Sequence, residues 1–281
     1  MTQDLRPKLT DRAALCRNRA RALAMAEPAL FLHETAADEL KERLAMVNRR
    51  FTDPAVVAGI AAPWQAVLPE APIVADTDIL DLSPERHDLV VHALGLHWAE
   101  DPVGQLIQAR RALRPDGLFL GFTLGGRTLH ELRAALAQAE AEITGGLSPR
   151  VLPMGEVRDL GGLLQRAGFA LPVADVVTQK VSYTSALGLM RDLRAMGEAS
   201  ALAARPRGFT RRAVLFRAAE IYAANFAGSD GRIIASFEIV CLTGWAPGPG
   251  QPQPLRPGSA AARLADALGS PEHPLPGDHR D

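Results

Sequence analysis

A histidine and a tryptophan stand side by side just after a valine-rich segment of the chain. His97 and Trp98 follow residues 88–94, which have the mostly apolar, valine-rich character of a strand buried on both faces. A histidine can exchange a proton near neutral pH, and a tryptophan ring can lie against a cofactor or substrate. We therefore predict that both are catalytic. The alternative is that Trp98 packs under the edge of the sheet and His97 caps the next turn.

The segments around this pair predict one unit of a parallel sheet. Residues 103–113 have apolar side chains at helical spacing, residues 114–117 (Arg-Pro-Asp-Gly) are a turn signal, and residues 118–122 read as a second buried strand. A strand, a crossover helix and a second strand form a parallel pair. Ligands bind beyond the carboxyl ends of such strands, which here carry residues 95–98 and 123–126.

The rest of the chain predicts an α/β domain with an appendage at each end. Residues 11–44 read as two helices, and residues 173–183 and 233–245 read as strands of an antiparallel pair. Beyond residue 246 prolines replace large apolar side chains, which is typical of disorder, although 259–268 could form a short helix. The predicted parts are a helical cap, a sheet domain and a disordered tail: residues 1–40, 41–246 and 247–281.

Composition narrows the classes of function. The 281 residues are 47% hydrophobic with a net charge of -1, so no global field draws the chain to nucleic acid. No apolar run approaches the ~20 residues that span a bilayer. Cys16 and Cys241 are too far apart for a redox or metal motif, and the histidines show no iron-binding pattern. We predict no metal site and a reducing compartment, most simply a bacterial cytoplasm.

Several motifs occur in a fixed order along the chain: LHW after the first predicted strand, LRPDG before the second, then DLGGLLQRAGF, MRDLRAMGE and FEIVCLTGWAP. Together they resemble the methyltransferase-like assembly factors of respiratory complex I, in their alphaproteobacterial branch, within the class I S-adenosylmethionine-dependent methyltransferases. The resemblance covers about residues 9–247. It implies a Rossmann-like α/β fold with a mostly parallel sheet, a terminal antiparallel hairpin, and S-adenosyl-L-methionine as cofactor.

The resemblance also implies a partner and a set of site residues. The partner would be a protein, such as a complex I subunit, which could hold the chain at the inner membrane. The cofactor would be bound by a turn, an acid and an asparagine: Leu94, Gly95 and Leu96, with Asp76 and Asn48. Asp76, after the family's third strand, would accept the adenine amine. Asn48 would end the first strand, which is expected over 45–48.

The sequence departs from the family where the cofactor should bind. No G-x-G follows residues 45–48; Asn48 is followed by two arginines, and the nearest glycine is Gly59. Between Asn48 and Asp76 there is room for one helix and one short strand, so the carboxylate that would bind the ribose is not recognisable. The arginines could bind an anion or be a solvated pair. These departures put binding of S-adenosyl-L-methionine in question.

Three hypotheses therefore stand side by side. The chain is a methyltransferase acting on a protein; or it hydroxylates a protein, since eukaryotic members of the family are associated with arginine hydroxylation; or it is a catalytically inactive assembly protein that has lost the cofactor. The first predicts a cleft narrowed on the first-strand side, with Asp76 and Trp98 near its floor. The third predicts a cleft filled by the side chain of Arg49 or Phe51.

Overall fold

The computed structural model describes residues 7–252 and residue 269. Most of the predicted tail, with the short helix at 259–268, lies outside the described residues. Contacts group residues 1–249 into one unit and 250–281 into a second. The predicted boundary between cap and domain at residue 40 stays a prediction. In the part of the chain that the structure describes, no helix combines the length and the apolar character that crossing a bilayer requires.

A six-stranded mixed sheet forms the centre of the first unit. Its strands are β1 Pro54–Ala58, β2 Ile73–Val74, β3 His87–Ala93, β4 Leu113–Leu124, β5 Ala170–Tyr183 and β6 Ile233–Trp245. The order across the sheet is β2-β1-β3-β4-β6-β5. Strands β2, β1, β3 and β4 run parallel to one another, whereas β6 runs antiparallel to both β4 and β5. This topology confirms the predicted Rossmann-like fold with its terminal antiparallel pair.

Eight α-helices and one short 3-10 turn accompany the sheet within the described residues. The helices are α1 Arg12–Leu23, α2 Phe31–Met46, α3 Ala62–Gln65, α4 Pro102–Ala112, α5 His130–Thr144, α6 Val157–Arg166, α7 Ala186–Ala195 and α8 Arg212–Phe226, and the 3-10 turn is Leu96–Trp98. Two of them precede the first strand, and two lie between β5 and β6. The predicted crossover helix is α4, which Asp101 caps by accepting a hydrogen bond from the Gly104 amide at 2.8 Å.

The predicted parallel unit is confirmed as β3, α4 and β4, and its two faces are both buried. Leu89 and Val91 of β3 belong to a core cluster that includes residues of α2, α5, α7 and α8. Val90, one position away, belongs with Phe119 of β4 to a second cluster under α4 and α6. Alternate residues of a strand point to opposite faces, so a continuous apolar run is what a sheet covered on both sides requires.

The prediction of a first strand over 45–48 is wrong. The helix α2 continues to Met46, since Leu40 and Leu44 extend its apolar face and Ala45 and Met46 favour helix. The first strand, β1, starts at Pro54 and contains the β-branched pair at positions 56 and 57. For the stretch between Asn48 and Asp76 the sequence predicts one helix and one short strand, whereas the structure has β1 there as well as α3 and β2. Strand β2 pairs directly with β1.

Candidate functional site

The carboxyl ends of β1, β2 and β3 meet around two glycines and an aspartate. Gly59 directly follows β1, Asp76 lies two residues after β2, and Gly95 lies two residues after β3. Asp76 is 4% exposed. A Cβ atom on Gly95 would lie 2.7 Å from Asp76 Oδ2, so these two residues touch. We call Gly59, Asp76 and Gly95 the strand-end corner.

Two arginines of α1 enter the strand-end corner. Arg19, 6% exposed, pairs through Nη1 with Asp76 Oδ2 at 2.7 Å. Arg12 pairs through Nη2 with Asp76 Oδ1 at 3.0 Å and also donates to the Asp76 carbonyl oxygen. The guanidinium of Arg19 lies against Gly59, where a Cβ atom would be 1.8 Å from Nη1. The corner therefore contains a buried ion triad made by the chain itself.

Beyond β3, the predicted catalytic pair meets a glutamate that the sequence did not indicate. Glu198 Oε2 accepts a hydrogen bond from Trp98 Nε1 at 2.8 Å and lies 3.4 Å from His97 Nε2. On its other side, His97 Nδ1 lies 3.4 Å from the Thr123 hydroxyl. Burial alone would raise the pKa of Glu198, but the hydrogen bond and charge of His97, with Arg19 and Trp98, outweigh it and lower that pKa to about 2. Glu198 is therefore ionised.

A second buried histidine, His33 of α2, lies close to this group. Its Nδ1 accepts a hydrogen bond from Trp64 Nε1 at 3.1 Å, and with His97 and Glu198 it lines a small gap between α2 and the sheet. Burial lowers the pKa of His33 to about 4, so the imidazole is neutral at physiological pH. A neutral ring with an occupied Nδ1 suits packing and hydrogen bonding better than proton transfer.

An apolar cavity of about 160 Å³ opens next to Trp98 and Glu198, beyond the carboxyl ends of β3 and β4. Its apolar wall comes mostly from α2, α5 and α7 and includes Leu32, Leu129, Leu132, Leu136, Leu193 and Met196. Arg150, Arg194 and Ser200 are the further polar side chains in the lining. Since the hydroxyl of Ser200 is buried without a hydrogen-bond partner among the described residues, it is available to a molecule in the cavity.

The structure brings most of the predicted site residues together. Asp76 and Gly95 lie in the strand-end corner, and the turn from Leu94 through Leu96 leads to His97 and Trp98 at the cavity. Leu94 has a backbone φ of 46°, in the left-handed region that leucine rarely adopts. Such strain is found at functional sites more often than elsewhere. The turn is thus held in a costly conformation by its surroundings.

Asn48 is not brought to this end of the sheet. It lies between α2 and β1, in the loop that enters β1 at its amino end. The adjacent Arg49 pairs with Asp116, in the turn before the part of β4 that pairs with β3. Arg49 also lies over the ring of Phe51, 5.6 Å from its centroid. Neither Arg49 nor Phe51 fills the strand-end corner, which contains Arg19 instead.

Sequence reasoning did not predict the roles of Arg12, Arg19 and Glu198. The signal for the arginines was their spacing of seven residues, which places both on one face of α1. Glu198 stands at the end of the MRDLRAMGE motif, directly after Gly197. A charged residue after a helix-ending glycine is usually solvated, so this pattern alone could not identify a buried acid.

The residues of the strand-end corner do not fit S-adenosyl-L-methionine as they stand. After β1 the chain reads Gly-Ile-Ala-Ala-Pro, so a single glycine replaces the G-x-G turn. Asp76, the acid expected to bind the cofactor, already accepts hydrogen bonds from Arg12 and Arg19. The Arg19 side chain lies where a ligand would approach Gly59. Among the described residues, no cluster of histidine, cysteine or acidic side chains could hold a metal ion.

Comparisons with known proteins agree with this fold. The family model described as "Methyltransferase domain" matches residues 18–121. The chain is 38% identical to the arginine-hydroxylase NDUFAF5, mitochondrial, of Danio rerio, over 71% of this chain and 62% of the relative. For the Homo sapiens protein of the same name the identity is 37%, over 71% of this chain and 57% of the relative.

Another relative is named for a different reaction. The malonyl-(acyl-carrier protein) O-methyltransferase of Laribacter hongkongensis is 37% identical over 62% of this chain and 56% of that protein. Among solved structures, the YcgJ protein of Bacillus aligns with 84% of this chain and 99% of its own, at 11% identity and a TM-score of 0.44, a likeness that carries no weight here.

The sheet topology and the matching domain make this chain a class I methyltransferase-fold protein. Within that fold class it is similar to the proteins named arginine-hydroxylase NDUFAF5, in line with the resemblance that its ordered motifs indicated. The chain spans about three fifths of the length of the arginine hydroxylases it matches.

Proposed function

We propose that the protein acts on a protein partner during assembly of respiratory complex I, and that the apolar cavity receives one side chain of that partner. The observation that carries this proposal is the cavity itself, with the Trp98 ring and the ionised Glu198 in a wall that is otherwise mostly leucine and methionine. A cavity of about 150 Å³ holds a molecule the size of benzene. One of about 160 Å³ therefore suits a single side chain.

The methylene groups of an arginine side chain match the apolar part of this lining, and the relatives are named arginine hydroxylases. Of the two arginines in the lining, Arg150 already pairs with Glu140 at 2.7 Å and Arg194 is exposed. Its methylene groups would pack against the leucines, while its guanidinium would pair with the carboxylate of Glu198. The adjacent Trp98 ring would add a cation–π contact. His97, held between Thr123 and Glu198, would keep that carboxylate in place. Trp98 and Glu198 would then bind the substrate, and His97 would position Glu198.

Two versions of the function share this site. In the catalytic version the bound side chain is modified. Hydroxylation, for which the relatives are named, would require O₂ and an electron donor as co-reactants, and methyl transfer would require a sulfonium methyl donor that leaves as the thioether. The match to a methyltransferase domain supports S-adenosyl-L-methionine as a cofactor. The side chain of Arg19 in the strand-end corner argues against binding of that cofactor. In the non-catalytic version the cavity only holds the partner until it is assembled. Either version would operate in the bacterial cytoplasm, at the inner membrane where the partner is inserted.

The test compares Glu198→Gln with Glu34→Gln, an exposed glutamate of α2, in cells that lack the wild-type gene. Tagged protein is recovered, and mass spectrometry identifies the complex I subunits that come with it and any modified arginine in them. We expect the amount of subunit recovered with Glu198→Gln to be at least tenfold lower than with wild type. The amount recovered with Glu34→Gln should equal that of wild type. Circular dichroism verifies that both variants are folded.

The outcomes separate the hypotheses. Equal recovery of the subunit with Glu198→Gln and wild type would show that the cavity is not the binding site. A modified arginine that depends on the wild-type protein supports the catalytic version. A subunit that is recovered with its arginines unmodified supports the non-catalytic version.

A further inference from the structure

The helix α1 reaches the carboxyl ends of β1, β2 and β3, where this type of sheet binds a nucleotide-like ligand. We infer that α1 is an intramolecular ligand of the strand-end corner: Arg19 permanently occupies the position between Gly59 and Asp76, so the site of this chain takes one ligand, in the apolar cavity, and no cofactor of the adenosyl type. This inference goes beyond the proposed function and does not depend on the identity of the partner.

The first support is steric. The carboxyl end of β1 is marked by Gly59, and the guanidinium of Arg19 takes up the space that the missing side chain leaves, with its Cζ 2.3 Å from where a Cβ would be. Gly95 leaves similar room on the other side for the carboxylate of Asp76. A ligand that needed close approach to both backbones would have to displace the side chain of Arg19.

The second support is electrostatic. Asp76 is buried and would be costly to leave unpaired, since removing one partner of a buried ion pair exposes the other charge to an apolar environment. Arg12 and Arg19 both pair with it, through different carboxylate oxygens. Both oxygens of Asp76 therefore already accept from a guanidinium, and the hydroxyl or amine groups of an adenosyl ligand would compete with two cationic donors.

The third support is the way in which the same segment of chain is anchored. The hydroxyl of Thr10 donates to the Trp98 carbonyl at 2.9 Å, and the side-chain amide of Asn18 donates to the Ala199 carbonyl at 2.8 Å. The Cα of Arg19 lies 3.0 Å from where a Cβ on Gly197 would be. Thus α1 contacts both the turn after β3 and the segment that carries Glu198.

These contacts give Arg19 a second effect, on the cavity. Its charge is one of the causes that keep the pKa of Glu198 low, after the opposing effect of burial and the larger contribution of His97. Arg19 therefore joins the strand-end corner to the carboxylate in the cavity wall. We class it as a positioning residue, because it acts on the cavity through Glu198.

The first arm of the test is isothermal titration calorimetry of the full-length wild-type protein with S-adenosylhomocysteine at up to millimolar concentration. The expected result is no binding. Binding to the wild-type protein in the micromolar range would overturn the inference, because it would show that the ion triad yields to the cofactor. This arm uses no variant that could fail to fold and measures nothing about the protein partner.

The second arm is thermal unfolding of Arg19→Ala against Arg17→Ala, which removes an exposed arginine of the same helix. We expect the melting temperature of Arg19→Ala to fall by about 10 °C and that of Arg17→Ala to change by less than about 2 °C. Similar shifts for the two variants would overturn the inference. If Arg19→Ala does not fold, Arg19→Lys replaces it; an intermediate melting temperature is expected, and a wild-type value would contradict the placement of the guanidinium.

Discussion

At the scale of single residues, the site is built from charges that neighbouring groups keep in one state. Glu198 is ionised because His97, Arg19 and Trp98 all stabilise its carboxylate, although it is buried. Asp76 is held by two arginines. The cavity wall combines the negative charge of Glu198 with the positive charges of Arg150, which pairs with Glu140, and of Arg194.

The buried His33 gives the protein a pH-dependent stability. Burial lowers its pKa in the folded chain to about 4, below the ordinary 6.5, so the unfolded chain binds a proton more readily. The contribution of His33 to the free energy of unfolding is fully present above pH 6.5. It is lost as the pH falls from 6.5 to 4. The loss reaches about 3 kcal/mol at most. Protonation at Nδ1 would also break the hydrogen bond from Trp64.

Urea unfolding at pH 7.5, 6 and 5 measures this effect. The wild-type free energy of unfolding should decline between these values, and the decline should be smaller in His33→Gln, which can still accept from Trp64. His130→Gln, which changes a partly exposed histidine at the start of α5, should leave the decline unchanged. The same decline in wild type and His33→Gln would refute the assignment.

At the scale of elements, the arrangement depends on how α1 sits over the end of β1. Gly59→Ala should destabilise the protein by several kcal/mol, because the new Cβ would overlap the guanidinium of Arg19 and force it away from Asp76. Both Gly59→Ala and Arg19→Ala remove the same ion pair, the one between Arg19 and Asp76. The double variant should therefore cost about as much as the larger single effect, not the sum of the two.

A double-mutant cycle by urea unfolding checks this expectation. Gly162→Ala is the matched control, since a Cβ on that helical glycine would have nothing within 4 Å. It should stabilise α6 by up to about 1 kcal/mol. Strict additivity of Gly59→Ala and Arg19→Ala would mean that the glycine and the arginine do not share one interaction.

The same scale shows what the sequence could predict. Residues 88–94 and 118–122 are mostly apolar and lack the alternation of apolar and polar side chains that a strand buried on one face shows. The parallel pair β3 and β4 could therefore be predicted from the sequence. The first strand was misplaced because the apolar spacing of α2 runs into the region where the family has a strand. Arg19 could not be placed, since it pairs with a residue 57 positions away. Contacts so distant along the chain leave no local pattern.

At the scale of the whole molecule, the two halves of the carboxyl end of the sheet differ. The half beyond β1 and β2 is occupied by α1, and the half beyond β3 and β4 retains a cavity. The core also reflects this arrangement: Leu15 of α1 is fully buried and packs in one cluster with Trp98, Leu152 and Leu202. The helix therefore packs against Trp98 and Leu152, two residues that line the cavity.

This packing predicts how the first helix unfolds. If α1 is a fixed part of the fold, the amides of residues 12–23 should exchange with solvent through the same large-scale opening as those of β3, because releasing the helix would expose Leu15 and leave Asp76 unpaired. Hydrogen exchange followed by mass spectrometry measures both segments in one experiment. In Arg19→Ala we expect the protection of residues 12–23 to drop at least tenfold while β3 changes less, and in Arg17→Ala we expect neither to change. Wild-type exchange of α1 that is orders of magnitude faster than that of β3 would identify a mobile lid instead, and the strand-end corner would then be open to ligands for part of the time.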